Sequence, residues 1–210
     1  MVWWEEYKPK KFDFLLNEVK GLSEKQLTAH FTLYEGYVKK LNEIQEKLKV
    51  TAPDNANFSF NEYSELKRRE SVAFNGSFLH EAYFDNMLPQ QEPSKDLQKE
   101  LLKTFGSMDN FYKDVKGAAM STPGWVLLTK DSISGRLHNY VVFEHSIAVP
   151  IGQEVIMALD CWEHAYMIDY GIKKADYIQA FTQNINWEVI NERYEYAEKL
   201  GVKFRNTKPK

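Results

Sequence analysis

The sequence holds a single cysteine, Cys161, so it has no internal disulfide framework and gives no support for an oxidising compartment. It lacks any apolar run that approaches the length of a membrane span. Its start, MVWWEEYKPKKFDFLL, has no charged opening followed by a long apolar stretch and a small-residue cleavage site, and so predicts no secretory leader. These absences together predict a cytoplasmic protein without membrane contact. Basic residues are not in excess either. The net charge of -3 gives no electrostatic case for nucleic-acid binding. No internal repeat and no low-complexity tract interrupts the chain.

What is present describes an ordinary globular protein. Its 210 residues suffice to bury a core, and aromatics at 14% suit a dense one. Ser23-Glu24-Lys25-Gln26 fits a capping box, in which the Ser23 hydroxyl and the Gln26 amide satisfy the free N–H groups of a helix start. Leu27, His30, Phe31, Tyr34, Tyr37, Val38, Leu41 and Ile44 then recur at helical spacing, which predicts a long amphipathic helix to about Leu48. A second helix is expected from about Asn61 to Met87, interrupted near Phe74-Asn75-Gly76. Two long helices with a short connection predict an antiparallel hairpin.

Leu88 to Ser94 is polar, holds two prolines and marks a boundary, dividing a unit 1–88 from a unit 89–210. Helices are expected over 95–105 and 108–119. The pattern then changes to three strands, 124–130, 136–144 and 154–159, the first two joined by the hairpin loop 131–135. Short connections make this sheet antiparallel. Helical segments near 162–170, 174–184 and 187–200 close the chain. The fold class is α+β: a long N-terminal helical hairpin, then a three-stranded antiparallel sheet surrounded by helices.

There are only five histidines, and each alone is easily a core or surface residue. His138, beside Asn139 in a strand, reads as an exposed strand residue. Asp160-Cys161-Trp162-Glu163-His164 is more informative. Asp160 ends an apolar strand, and a buried carboxylate without a partner is costly. A carboxylate and an imidazole four residues apart can hold one ion, but an Asp at a strand-to-helix junction also caps helices, and spacing alone leaves both readings open. Glu163 fits a neighbouring or interface group better than a ligand.

The segment DCWEHAYMIDYG resembles the signature of the iron/manganese superoxide dismutases. LSEKQLTAHFTLYEGYVKKLN is similar to the first long helix of that family, HEAYFDNM to its second ligand segment, GSMDNFYKDVKGAAMSTPGWVLL to the approach to its first strand, and ADYIQAFTQNINWEVINERYE to its closing helices. The resemblance runs over nearly the whole chain from about residue 20. It implies His30, His80, Asp160 and His164 as ligands of one iron or manganese ion per subunit, in a trigonal-bipyramidal site completed by solvent. It implies dismutation of superoxide to dioxygen and hydrogen peroxide, with the ion between the two units. It further implies a homodimer, with a tetramer as the larger alternative. A family member that keeps the metal without catalysis is the alternative function; a different non-haem iron protein, such as a helical carboxylate oxygen-binding or oxygenase domain, is disfavoured because paired Glu-x-x-His motifs are missing.

The surroundings of the site are also carried by the resemblance. In many iron forms a Gln four residues before the second ligand bonds the bound solvent, and here that position is Gly76. In others the loop after the second strand supplies Gln or His, which points to His145, with a surface-loop histidine as the plain alternative. Trp125 matches a pocket tryptophan and equally reads as core. The first helix departs from the family pattern: Tyr34 lies four after His30 where the family usually has His, and Tyr37 lies seven after it where a gateway Tyr is expected at eight. One residue is missing, which predicts that a helix irregularity such as a π-bulge is absent here. Tyr37 becomes the gateway candidate, with Tyr34 close behind. Glu163, Tyr166 and Met167 are placed at the subunit contact, Met167 standing where the family often has Tyr. Phe84 and Val126 replace frequent tryptophans.

Overall fold

The computed structural model describes residues 5–88 and 91–200. Pro89 and Gln90, inside the expected boundary segment, lie outside the described residues, as does the start of the chain through Trp4. After a short 3-10 turn at Asp13–Leu15, two long helices follow, α1 (Glu24–Val50) and α2 (Glu62–Asp85). They pack against one another along Tyr34, Val38, Leu41 and Ile44 of α1 and Ala73 of α2, all buried. Apolar residues at i, i+4, i+7 and i+10 make this stripe, so burial rather than propensity holds the pair together.

Two of the details expected for the helical hairpin change. The helix α2 is continuous through Phe74-Asn75-Gly76. Asn75 does not compete for its own backbone, because its amide reaches out to the carbonyl of His145 at 2.6 Å. Gly76 stays helical because the missing side chain is filled from outside: a Cβ there would lie 2.5 Å from Cδ1 of Tyr37. The capping box is only half formed. Ser23 Oγ accepts from Gln26 N at 3.1 Å, but Ser23 N donates to Asp169 Oδ2 at 2.6 Å instead of to the Gln26 side chain. Helix α1 runs as regular α-helix over its whole length, without a π turn.

The remaining elements are α3 (Lys95–Phe105), α4 (Met108–Met120), β1 (Trp125–Asp131), β2 (Leu137–Val142), β3 (Gln153–Asp160), α5 (Met167–Tyr170), α6 (Lys174–Gln183) and α7 (Trp187–Leu200). The sheet is antiparallel in the order β2-β1-β3. The middle strand β1 is buried on both faces, which explains its run of apolar residues where a half-exposed strand would alternate. The expected closing helix near 162–170 is broken into a 3-10 turn at Glu163–Ala165 and the short α5, with the break at Tyr166.

One feature sets the site's place in the sheet and another fixes the helical hairpin against it. The register pairs Trp125 with Asp160 across β1 and β3, so the tryptophan and the carboxylate start from neighbouring backbone positions. At the end of α2, the buried Asn86 donates to Ala158 O of β3 at 2.7 Å and accepts from Arg193 of α7 at 2.8 Å. Arg193 also pairs with Asp85 at 3.0 Å. A buried amide and a half-covered guanidinium are satisfied only when α2, β3 and α7 meet in this arrangement, so the contact specifies the assembly as well as stabilising it. His138 is half-buried rather than exposed, and its ring lies 5.5 Å from that of Tyr140.

Candidate metal centre

Four elements each deliver one side chain to the same point. His30 comes from the buried face of α1, His80 from that of α2, Asp160 from the last residue of β3, and His164 from the turn that follows. One donor atom from each lies within 4.8 Å of the others. Asp160 Oδ2 is the hub, 3.2 Å from His30 Nε2, 3.1 Å from His164 Nε2 and 3.5 Å from His80 Nε2. The other carboxylate oxygen, Oδ1, accepts from Trp162 N at 2.8 Å. The two readings of Asp160 left open by the sequence are thus divided between its two oxygens, one capping the turn and one facing the histidines.

The tautomer of His80 decides what the cluster needs. Its Nδ1 donates to Gly76 O at 2.5 Å, so in the neutral ring Nε2 is a bare lone pair. That lone pair faces His164 Nε2 at 3.4 Å and the Asp160 carboxylate. Burial, aided by repulsion from His30, pushes His80 down to about 3, and burial lowers His30 as well. Burial works against ionisation of Asp160, but hydrogen bonds from His164 and His30 outweigh it and hold the carboxyl well below the usual carboxylate range. A charged carboxylate beside the imidazoles of His30 and His80, the latter with its lone pair aimed inward, is a donor set suited to a cation. Three imidazoles and a carboxylate suit a first-row transition ion of the iron or manganese type, so the residues fit such an ion.

A hydrogen-bonded wall stands beside the cluster. The ring of Tyr37 stacks on His80, with centroids 5.3 Å apart. Its hydroxyl lies 2.7 Å from Nε2 of His145. Trp125 Nε1 donates to His145 Nδ1 at 2.9 Å. An indole N–H can only donate, so the neutral His145 must carry its hydrogen on Nε2 and give it to the Tyr37 oxygen. The Tyr37 O–H proton is then free to point at another acceptor. Burial lowers His145 and raises Tyr37, so both stay uncharged near neutrality.

Tyr34 does not belong to this wall. Its hydroxyl donates to Glu81 Oε1 at 2.8 Å and accepts from Lys10 N at 2.9 Å, so it is turned toward the N-terminal segment. Of the two gateway candidates, Tyr34 thus has its hydroxyl engaged by Glu81 and the Lys10 backbone, whereas Tyr37 faces His145. Phe84 packs against His30, ring centroids 4.9 Å apart, and Val126 is buried. Glu163 and Met167 are exposed, and the side chain of His164 is 29% exposed. Tyr166 turns inward and stacks on Tyr177 at 5.2 Å.

Four contributors were not assigned to the site from the sequence. Tyr177 donates to the Asp160 carbonyl at 2.7 Å, so the Tyr83 hydroxyl, 3.0 Å away, must donate to Tyr177. Asn75 holds the His145 loop. Gln26 bonds the backbone around His164. The available signal for Gln26 was its place four residues before His30 on the buried stripe, where a polar side chain calls for a partner.

An α+β scaffold that brings two buried imidazoles, a partly exposed one and a buried carboxylate to a single point has the donor set of a metal protein. Comparison with known proteins gives the family. Residues 93–193 match the family described as iron/manganese superoxide dismutases, C-terminal domain. The chain is 41% identical to the iron superoxide dismutase of Aquifex pyrophilus, over 86% of this chain and 88% of that one. It is 37% identical to the iron enzyme of Cupriavidus metallidurans, over 86% and 92%. It is also 34% identical to a manganese superoxide dismutase of Haloferax volcanii, over 85% and 90%. The chain belongs to the iron/manganese superoxide dismutase family. Among the described residues no helix is long and apolar enough to cross a membrane.

Proposed function

We propose that this protein dismutes superoxide at one iron or manganese ion per subunit, held by His30, His80, Asp160 and His164. The observation that carries the reading is the convergence of these four donors on one buried point, with the inward lone pair of His80. When bound, the ion supplies one-electron exchange in both directions. One superoxide is oxidised to dioxygen, another is reduced to hydrogen peroxide, and the pair consumes two protons. Identical donors serve either metal, and relatives of both kinds are similar to this chain.

The protein's own residues supply the proton and the confinement. Tyr37 accepts from His145 and keeps its own O–H free to donate, so it is the group best placed to pass a proton to a small anion at the ion. His145 and Trp125 hold that phenol in place. Phe84 and Tyr83 cover the side away from the approach, packing on His30. The ion would lie between a unit 1–88 and a unit 89–210, in a cytoplasmic protein.

The partly exposed His164 lies beside exposed Glu163, and Met167 and Ile168 are 44% and 46% exposed on the next turn. This open edge supports a homodimer in which a second copy covers the turn. Purification from metal-replete cells, elemental analysis, and superoxide consumption after reconstitution with each metal test the reading. The expected result is about one ion per chain with turnover. Bound iron or manganese without turnover would leave only a non-catalytic metal protein, and a protein that takes up neither would reject the metal centre itself.

A further inference from the structure

The amide of Gln26 occupies a gap in the backbone hydrogen bonding around His164. Its Nε2 donates to His164 O at 2.6 Å, and its Oε1 accepts from Ile168 N at 3.1 Å. In an uninterrupted α-helix the Ile168 N–H would donate to the His164 carbonyl directly, because the two residues are four apart. The chain departs from helix between them, at Tyr166, with φ -147° and ψ -17°. The side-chain amide therefore stands where one helical bond is missing and replaces it with two. The orientation of the amide is fixed by its partners, since a carbonyl only accepts and a backbone N–H only donates.

Gln26 is 1% exposed, so water has little access to either group if the amide is removed. It lies on α1 one turn before His30, so it ties the His164 turn to the helix that carries the first histidine. The same junction is reinforced from both sides: Ser23 Oγ donates to Asp169 Oδ1 at 2.6 Å, and the Tyr170 hydroxyl donates to Gly21 O at 2.5 Å. Those contacts join the segments, but only Gln26 enters the gap next to His164.

We infer that Gln26 is a positioning residue for His164: it holds the ligand turn open and sets the direction of the imidazole relative to His30. This rests on the metal-centre reading given above. Without the amide, the His164 carbonyl and the Ile168 N–H are free to pair, the turn closes into continuous helix, and the imidazole rotates away from Asp160 Oδ2.

The test uses full-length protein loaded with iron, comparing wild type with Gln26→Leu and the isosteric Gln26→Glu. Glu keeps an acceptor for Ile168 N but places a carboxylate oxygen against the His164 carbonyl. The expected result is a changed rhombicity in the electron paramagnetic resonance spectrum of the ferric protein, with metal release to a chelator faster by about tenfold. Should Gln26→Leu fail to fold, Gln26→Glu carries the same two measurements. Variants that load normally, keep the wild-type spectrum and release rate, and merely melt earlier would overturn the inference. A wild type that binds neither iron nor manganese is a separate failure, that of the metal centre, and removes the inference with it.

Discussion

The hydroxyl of Tyr37 and the Nε2 of His145 meet at 2.7 Å, across 108 residues of sequence, and the direction of the bond is set by a third residue, Trp125. This relationship separates the two tyrosines of α1, which the sequence places on one helical face. Tyr37→Phe removes the free O–H beside the proposed metal centre and is expected to lower superoxide turnover at least about tenfold, with metal content unchanged. Tyr34→Phe is expected to leave turnover near wild type and to cost about 1–3 kcal/mol of stability, because Glu81 and Lys10 N lose a buried partner. Steady-state assays and urea unfolding of both variants check the pair. Loss of turnover confined to Tyr34→Phe would reverse the assignment.

Gly76 provides a second way to move Tyr37. Alanine is favoured over glycine within a helix by about 1 kcal/mol. At this position the added carbon would meet Cδ1, Cε1 and Cγ of Tyr37 at 2.5, 2.8 and 2.9 Å. Overpacking of that kind costs about 1–3 kcal/mol, so the clash outweighs the propensity gain. Gly76→Ala is expected to melt earlier and to show the activity loss of Tyr37→Phe, since the ring must leave His80 and His145. Wild-type activity in a stable Gly76→Ala protein would contradict it.

Metal removal and loss of the hub carboxylate are expected to agree. An ion that binds the folded chain and not the unfolded one adds about 4 kcal/mol of stability at a thousandfold excess over its dissociation constant. Chelated wild type should therefore unfold at lower temperature, and iron or manganese should restore it. Asp160→Asn keeps an oxygen for Trp162 N but loses the charge that the three histidines face. Its melting temperature is expected not to respond to added metal. A metal-dependent rise in Asp160→Asn equal to that of wild type would remove Asp160 from the ligand set.

Cys161 adjoins the hub yet is expected to be inert. It is 1% exposed, and burial pushes its thiol up to about 12. Because the shift is upward, the reactive thiolate is scarce throughout the neutral and mildly alkaline range, where an ordinary thiol near 8.5 would ionise. Iodoacetamide at pH 8 should label the protein only after denaturation, as read by mass spectrometry. Rapid labelling of the native protein would show that this end of β3 opens.

Much of the fold was legible because its period changes along the chain. Spacing of three and four marked α1, and short β-rich runs with the hairpin loop 131–135 marked the sheet. The four candidate ligands were suggested by the Asp160-to-His164 segment and by the segments around His30 and His80, all of which resemble one family. What escaped depends on partners distant in sequence. Gln26 passed for a cap because its true partner lies 138 residues away. Asn75-Gly76 passed for a helix break because the sequence hides both the loop that Asn75 holds and the ring that Gly76 admits. Tyr34 stood as a second gateway candidate because helical spacing gives only a face, and its bond to Glu81 is supplied by a neighbouring helix.

The unbroken course of α1 has a consequence for how this stretch can change length. Each α-helical residue turns the chain by about 100°. One residue gained or lost between Gln26 and Tyr37 would rotate the His164 clamp, His30 and the Tyr37 phenol out of mutual alignment at once. Such an indel can survive only with a compensating wide turn that absorbs the rotation, whereas the loop at 51–61 can lengthen freely. The helix thus behaves as a ruler with fixed marks, and tolerance to insertion should drop sharply from the hairpin tip to its base.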